Sequence, residues 1–326
     1  MKFETKGIKI IGMSATAPSK VVENMDAVVD DKKLKKLIKM TGIYRRHIID
    51  SEAMSLVDLA ITSAKDVISK SNVDKNRIKY IIYITQKPEF AGPATAFFVQ
   101  KQLEIGTDCL VFDINLGCSG FMAGLQIMSS MLNNRENGDL GLLINAENMS
   151  GISRENQNDE LLFGDAATAV LLEKDDRYSD VIKEWYFSDG NRYDAIIQRD
   201  PNGACYMDGQ AVFEFSVYEV SKYITHFLQE NGLSNDDIDY IAFHQAQKFI
   251  IDHIASNAKL DKKKMLYSLD EYGNTSGASI PLSICNSTNK IIGDGRYLLS
   301  GFGVGLAWGV AYIIIDKKAI FGINHI

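Results

Sequence analysis

Three short stretches carry residue types that can do acyl and proton chemistry. Gly117-Cys118-Ser119-Gly120 sets a thiol between two glycines, after the apolar run Leu110 to Ile114 and before an apolar helical pattern. A thiol at a helix start meets unpaired N–H groups and the positive end of the helix dipole, both of which favour thiolate, the nucleophilic form. His244 closes the apolar run Tyr240-Ile241-Ala242-Phe243, and the C-terminal end of a strand in an α/β fold faces the usual ligand crevice. Asn274 sits in Gly273-Asn274-Thr275-Ser276-Gly277-Ala278-Ser279-Ile280-Pro281, where an amide can donate to a substrate oxygen. Taken singly, each stretch has a structural explanation: a buried small cysteine, a hydrogen-bonded histidine, a helix cap.

The elements that must position these groups follow from periodicity. Strands are predicted over Tyr80 to Thr85, Cys109 to Ile114, Gly141 to Asn145, Ala167 to Glu173, Tyr240 to Phe243, Tyr297 to Ser300 and Gly309 to Ile315. Helices are predicted over Ser55 to Ser69, Thr95 to Leu103, Gly120 to Leu132, Val212 to Asn231 and Gln247 to Lys259. Short apolar runs alternating with helical patterns indicate a layered α/β fold. Gly120 to Leu132 is apolar nearly all round, so it should be buried. Phe163-Gly164-Asp165 with the strand after it resembles Gly301-Phe302-Gly303-Val304-Gly305 with the strand after that, and the Cys118 and Asn274 turns each open a helix. Such pairs suggest two duplicated halves, residues 1–175 with the cysteine and 176–326 with the histidine and asparagine, meeting near the polar segment Asp175 to Asp180.

Read together and in order, the motifs resemble the β-ketoacyl-acyl-carrier-protein synthase III family of thiolase-like condensing enzymes. They are Asp-x-x-x-x-Cys-x-Gly-Phe, Phe-Gly-Asp, His-Gln-Ala, Gly-Asn-Thr-Ser-x-Ala-Ser-Ile-Pro and Gly-Phe-Gly-x-Gly-x-x-Trp-Gly, and the match runs from Gly42-Ile43 to Trp308-Gly309. The resemblance implies a five-layer αβαβα thiolase fold, a homodimer, and a catalytic set of Cys118, His244 and Asn274. It places the oxyanion donors at the backbone N–H groups of Cys118 and Val304, and substrate contacts at Gly92, Phe213, Gln247 and Gly303. Cys118 would take an acyl group from a thioester. His244 and Asn274 would hold the enolate that a malonyl thioester forms on decarboxylation. Substrates would be phosphopantetheine thioesters, on carrier protein or coenzyme A, with no metal and no redox cofactor.

Several positions depart from the family pattern. Where acyl-coenzyme-A-primed members carry Trp and Arg before Thr-Gly-Ile, this chain has Lys36 and Met40, and Gln157 stands where a second Arg would flank the adenine. Lys and Gln offer no planar face for an adenine, so coenzyme A binding of the usual kind is not expected. Gln247 replaces the Asn of His-Gln-Ala-Asn, and at the carrier-docking positions Val212-Phe213 leads to Glu214 instead of Lys and Phe249 follows Lys248 where Arg is frequent. Lys32, Lys33, Lys35, Lys36 and Lys39 can compensate near the tunnel mouth, or form a solvated helix face. The family's acyl-pocket cap, often Phe, falls on Gly92, which leaves room for an acyl group longer than acetyl, branched or hydroxylated; the alternative is that Gly92 serves only the turn before Pro93 and that Phe90 or Phe97 swings in as the cap.

Composition sets outer bounds. The chain has 326 residues, 46% hydrophobic and 24% charged, with net charge −7, which argues against nucleic acid as main partner. No apolar run is long enough to span a bilayer, and Met1 to Gly12 lacks the pattern of a signal peptide, so a cytoplasmic location is expected. Cys109, Cys118, Cys205 and Cys285 form no C-x-x-C pair, which speaks against a zinc or redox site. Two other readings stay open: acyl transfer from Cys118 to a hydroxyl or amine without decarboxylation, and a non-catalytic subunit of a heterodimer. An intact Cys-His-Asn set and the Asn274 amide favour condensation over both.

Overall fold

The computed structural model describes residues 1–26, 31–152, 154, 157–200, 203–291 and 294–326; the side chain of Gln157 lies outside the described set. Two mixed sheets form the frame. The first runs Ile320–His325, Ile8–Ala17, Asp165–Lys174, Leu140–Asn148, Ile78–Ile84, Leu110–Ile114. The second runs Lys2–Lys6, Val181–Ser188, Ala307–Ile315, Gly295–Gly303, Tyr240–Phe243.

The same pairings recur in both. From Ile8–Ala17 inward the neighbours are antiparallel, antiparallel, parallel and parallel. From Val181–Ser188 they are antiparallel, antiparallel and parallel, and the next position is reduced to a parallel bridge between Ile241 and Met265. The end strands cross over. Lys2–Lys6 pairs with Val181–Ser188, and Ile320–His325 with Ile8–Ala17, so each sheet is completed by the far end of the chain.

Between the sheets lie the helices Gly120–Leu132 and Ser279–Asn286, and this middle layer is the main core. Phe121, Met122, Leu125, Met128 and Leu132 from one helix pack with Ile280, Leu282 and Ile284 from the other, between Ile82, Leu143 and Val170 on one side and Ala242, Leu299 and Ile313 on the other. Burying each such side chain stabilises the fold by about 1.5–3 kcal/mol. Gly124 lets the first helix lie close on its sheet: a Cβ there would meet the Ile84 and Leu143 side chains at 2.5 and 2.7 Å. The helices Leu56–Ser71 and Thr95–Gln102 cover the outer face of the first sheet. Those around Ser221–Glu230 and Lys248–Asn257 cover the second. The result is the expected five-layer αβαβα arrangement.

The expected helix over Val212 to Asn231 is present as one unbroken helical run, α-helical over Gly209–Glu214, widened to a π-helical turn over Phe215–Val220, and α-helical again over Ser221–Glu230. Ser216 Oγ donates to the Val212 carbonyl at 2.7 Å and Ser221 Oγ to the Val217 carbonyl at 2.6 Å. These hydroxyls occupy carbonyls inside the helix, which helps to accommodate a widened turn. No helix among the described residues is long and apolar enough to cross a membrane.

Candidate active site

A cavity of about 460 Å³ opens between the C-terminal ends of the strands of both halves. Cys118, His244, Asn274, Gln247, Gly303 and Val304 all line it. Gly92 and Phe213 do not. Gly92 is exposed in the loop before Pro93, where an added Cβ would meet nothing within 4 Å. Phe213 stacks on Phe249 at 5.7 Å, one residue beyond the cavity-lining Val212.

Cys118 stands in the turn that joins strand Leu110–Ile114 to the central helix, and Gly120 N–H donates to the Gly117 carbonyl at 2.7 Å to close that turn. Only 8% of the cysteine is exposed. Burial pushes its thiol up to about 11, while a hydrogen bond to Ser276 pulls the other way. Desolvation therefore outweighs the hydrogen bonds that favour thiolate in the resting site. Gly303 packs directly over the cysteine: a Cβ there would lie 2.8 Å from Cys118 Cβ and 3.2 Å from its sulfur, at a φ of +155°.

His244 follows strand Tyr240–Phe243, and its N–H donates to the Ser300 carbonyl at 2.8 Å. The ring is buried, edge-on to Phe302 at 5.4 Å, with Nδ1 2.9 Å from Ser279 Oγ. Burial lowers its pKa to about 4, so the imidazole is neutral at pH 7. Gln245 braces the loop behind it: Nε2 donates to the Phe243 and Leu266 carbonyls at 2.7 and 3.3 Å, and Oε1 accepts from Ser268 N–H at 3.1 Å.

Asn274 is held by the Phe-Gly-Asp stretch. Its N–H donates to the Leu162 carbonyl at 2.8 Å, and its carbonyl accepts from Gly164 N–H at 3.2 Å. Gly164 is required there, since a Cβ would meet the Tyr272 carbonyl oxygen at 2.1 Å. Ser276 N–H donates to Asn274 Oδ1 at 2.9 Å. With its oxygen engaged, the amide is left with Nδ2 as the group to offer a ligand.

Four further residues belong to this site and carried no role in the sequence reading. Ser276 Oγ is 3.5 Å from Cys118 Sγ and donates to Glu147 Oε1 at 3.3 Å. Glu147 is fully buried, and burial raises its pKa to about 8. Ser279 holds His244, and Arg154 lines the cavity. The signal for Glu147 was available: a carboxylate at the end of the apolar run Leu140–Asn148 needs a reason to be there.

A buried thiol, a neutral imidazole and an amide N–H in one cavity between two sheets of matching pairing define a thiolase-fold condensing acyltransferase. Comparison with known proteins narrows this. Residues 112–190 match the family model of 3-Oxoacyl-[acyl-carrier-protein (ACP)] synthase III, and residues 228–315 match its C-terminal model. The β-ketoacyl-[acyl-carrier-protein] synthase III of Acholeplasma laidlawii is 36% identical over 311 residues, covering 94% of this chain and 98% of that one. The enzyme of the same name from Streptococcus equi subsp. zooepidemicus is 34% identical over 319 residues, covering 92% and 97%. The crystal structure of a 3-oxoacyl-(acyl-carrier protein) synthase from Burkholderia xenovorans superposes with a TM-score of 0.94 at 28% identity, covering 100% of this chain and 99% of that one. The chain belongs to the β-ketoacyl-acyl-carrier-protein synthase III family.

Proposed function

We propose that this enzyme loads an acyl group onto Cys118 and condenses it with a malonyl thioester on a carrier protein, in a specialised acyl or glycan-modification pathway. The thiolate attacks the donor thioester, and the donor thiol leaves. Loss of CO2 from the malonyl group then leaves an enolate, whose oxygen is held by His244 and Asn274. Its carbon attacks the acyl-Cys118 carbonyl and releases the thiolate. Backbone N–H groups of Cys118 and Val304 serve the tetrahedral oxyanions. No redox cofactor or metal enters these steps.

The observation that carries this reading is the fixed Asn274 amide. Its Oδ1 is tied to Ser276 N–H in the cavity that holds Cys118 and His244. Simple acyl transfer to a hydroxyl or amine has no enolate and no use for that second donor.

The donor is carrier-bound in this proposal. Lys36 and Met40 are exposed and offer no adenine clamp. Helix Lys32–Thr41 lies against Lys248–Asn257, which borders the cavity, and its Lys32, Lys33, Lys36 and Lys39 are exposed, so they face an acidic carrier where Glu214 would repel it. Gln247 and Gly303 would contact the thioester arm and Phe213 the mouth. The working form would be a cytoplasmic homodimer, in which Gly92 leaves the partner's acyl pocket open.

The test is mass mapping after incubation with acyl and malonyl thioesters. The wild type should form an acyl adduct on Cys118 and a 3-oxoacyl product, whereas Asn274→Ala should keep the adduct and lose about 100-fold or more of the condensation rate. An adduct on Cys109, Cys205 or Cys285 that survives Cys118→Ala, or full condensation by Asn274→Ala, would sink the reading.

A further inference from the structure

Arg154 is a cation inside a cavity wall that is otherwise mostly apolar. It is 9% exposed and shares the cavity with Cys118, beside Ile152, Leu162, Ile196 and Met207. Its guanidinium carbon lies 3.6 Å from the centre of the Phe163 ring, and Nη2 donates to the Met149 carbonyl at 3.2 Å. Its backbone bridges to Cys205, which also lines the cavity. Among the described residues, Asp159 and Glu160 are the carboxylates whose charges act on it, and they offset only part of its burial.

The stacking uses the face of the guanidinium and leaves the edge, where its N–H groups lie, for other partners. Five N–H donors project from that edge, and the Met149 carbonyl accepts from one nitrogen. A cation taken out of water with few acceptors is unfavourable, and burial pulls the Arg154 pKa below its ordinary value. A wholly hydrocarbon acyl chain would worsen that by displacing water from the edge. An oxygen on the chain would relieve it.

We propose that Arg154 receives an oxygen carried on the acyl chain, so that the preferred group on Cys118 is oxygenated, bearing a hydroxyl or a carboxylate beyond the thioester carbonyl. This rests on the acyl-Cys118 reading and names its substrate class. The phosphate of the pantetheine arm is the other source of acceptor oxygens within reach of such a cavity, and the experiment separates the two.

Butyryl, 3-hydroxybutyryl and succinyl groups are offered as thioesters of N-acetylcysteamine, which lacks phosphate, and of carrier-bound phosphopantetheine. Acylation of Cys118 is followed by intact mass in single turnovers. At least one oxygenated donor should acylate about 10-fold faster than butyryl on both handles. In Arg154→Met that preference should fall to near onefold, read as the ratio of oxygenated to butyryl rates within the variant. Arg154→Lys, which keeps the charge, should retain part of the preference and guards against loss of fold in the first variant. Equal rates in the wild type, or a preference that survives Arg154→Met, would overturn the assignment. So would a preference seen only on the phosphate-bearing handle, which would make Arg154 a phosphate contact. Adducts without oxygen preference defeat this inference alone, whereas no Cys118 adduct from any donor defeats the acyl-cysteine reading beneath it.

Discussion

Ser279 Oγ sits 2.9 Å from His244 Nδ1 and at the same time donates to the Ser276 carbonyl at 2.7 Å. It also accepts from Gln245 N–H at 3.3 Å. With its proton on the Ser276 carbonyl, the hydroxyl accepts from Nδ1–H, and Nε2 is then a proton acceptor. With its proton turned to Nδ1, the imidazole carries its own proton on Nε2 and becomes a donor. The proposed condensation would use both in turn: an acceptor when the thiol loses its proton, a donor when the enolate forms.

Ser279→Ala should therefore lower kcat for malonyl decarboxylation by about 10-fold, with KM for the malonyl thioester nearly unchanged, because the ring stays but its tautomer is no longer held. Ser279→Thr, which keeps a hydroxyl, should recover most of the rate if its added methyl fits. Release of CO2 measured against malonyl concentration checks both. A fall confined to KM would make Ser279 a binding contact instead.

Gly303→Ala should abolish acylation of Cys118 more than about 100-fold, since the added methyl would sit 2.8 Å from Cys118 Cβ at a backbone angle that side chains rarely adopt. Intact mass after exposure to an acyl donor reads this directly, with circular dichroism to show that the variant folds. A folded Gly303→Ala protein that acylates normally would mean that the loop moves away from the thiol in solution.

That Cys118, His244 and Asn274 share one cavity was legible because each stands at the end of a strand or the start of a helix, in small-residue turns whose order matches one family. The middle helix Gly120–Leu132 was legible for a simple reason: it is apolar nearly all round. The edge strand Lys2–Lys6 and the strand Val181–Ser188 were not predicted. The first alternates in a mostly exposed, charged stretch, and the second places Glu184 on a buried face, against its hydrophobic pattern. Local pattern also cannot show that the two chain ends complete each other's sheets, because that depends on pairings far apart in sequence. The roles of Ser276, Ser279 and Glu147 are of the same kind. They arise only when Leu140–Asn148 and the Asn274 turn come together around Cys118.

Glu147→Gln should alter Cys118 reactivity only at alkaline pH. When Glu147 is ionised, Ser276 donates to it and accepts from the Cys118 thiol, and the negative charge also holds the thiol pKa up. Below pH 7 Glu147 is protonated, since burial raises it to about 8. A Gln in its place can donate to Ser276 Oγ, which frees the serine proton for the thiolate. Alkylation of Cys118 by iodoacetamide should then be similar in both proteins below pH 7 and faster in Glu147→Gln above pH 8. Slower alkylation in the variant above pH 8 would identify Glu147 as the base that draws the thiol proton through Ser276.

The same two buried groups, Glu147 and His244, should tilt stability in opposite directions with pH. His244 is lowered from 6.5 to about 4 by burial. As pH falls below 6.5 the unfolded chain takes up that proton first, so the folded state loses stability until about pH 4, by up to roughly 3 kcal/mol. Glu147 is raised from 4.5 to about 8, also by burial. As pH rises above 4.5 the unfolded chain releases that proton first, so the folded state loses stability up to about pH 8, on the order of 5 kcal/mol. Between pH 4.5 and 6.5 the two slopes oppose, and above 6.5 only the Glu147 slope remains. Glu147→Gln removes a titrating group and keeps the shape, so its stability relative to wild type should improve steadily from pH 4.5 to pH 8. His244→Gln should show its relative gain on the acid side, from pH 6.5 down to 4. Urea unfolding of the three proteins at pH 4.5, 6.5 and 8 measures the differences, in which titrations common to all of them cancel. A Glu147→Gln difference that does not change with pH would show that Glu147 is ionised in the folded protein, and the coupling to Cys118 through Ser276 would then run with the carboxylate charged throughout.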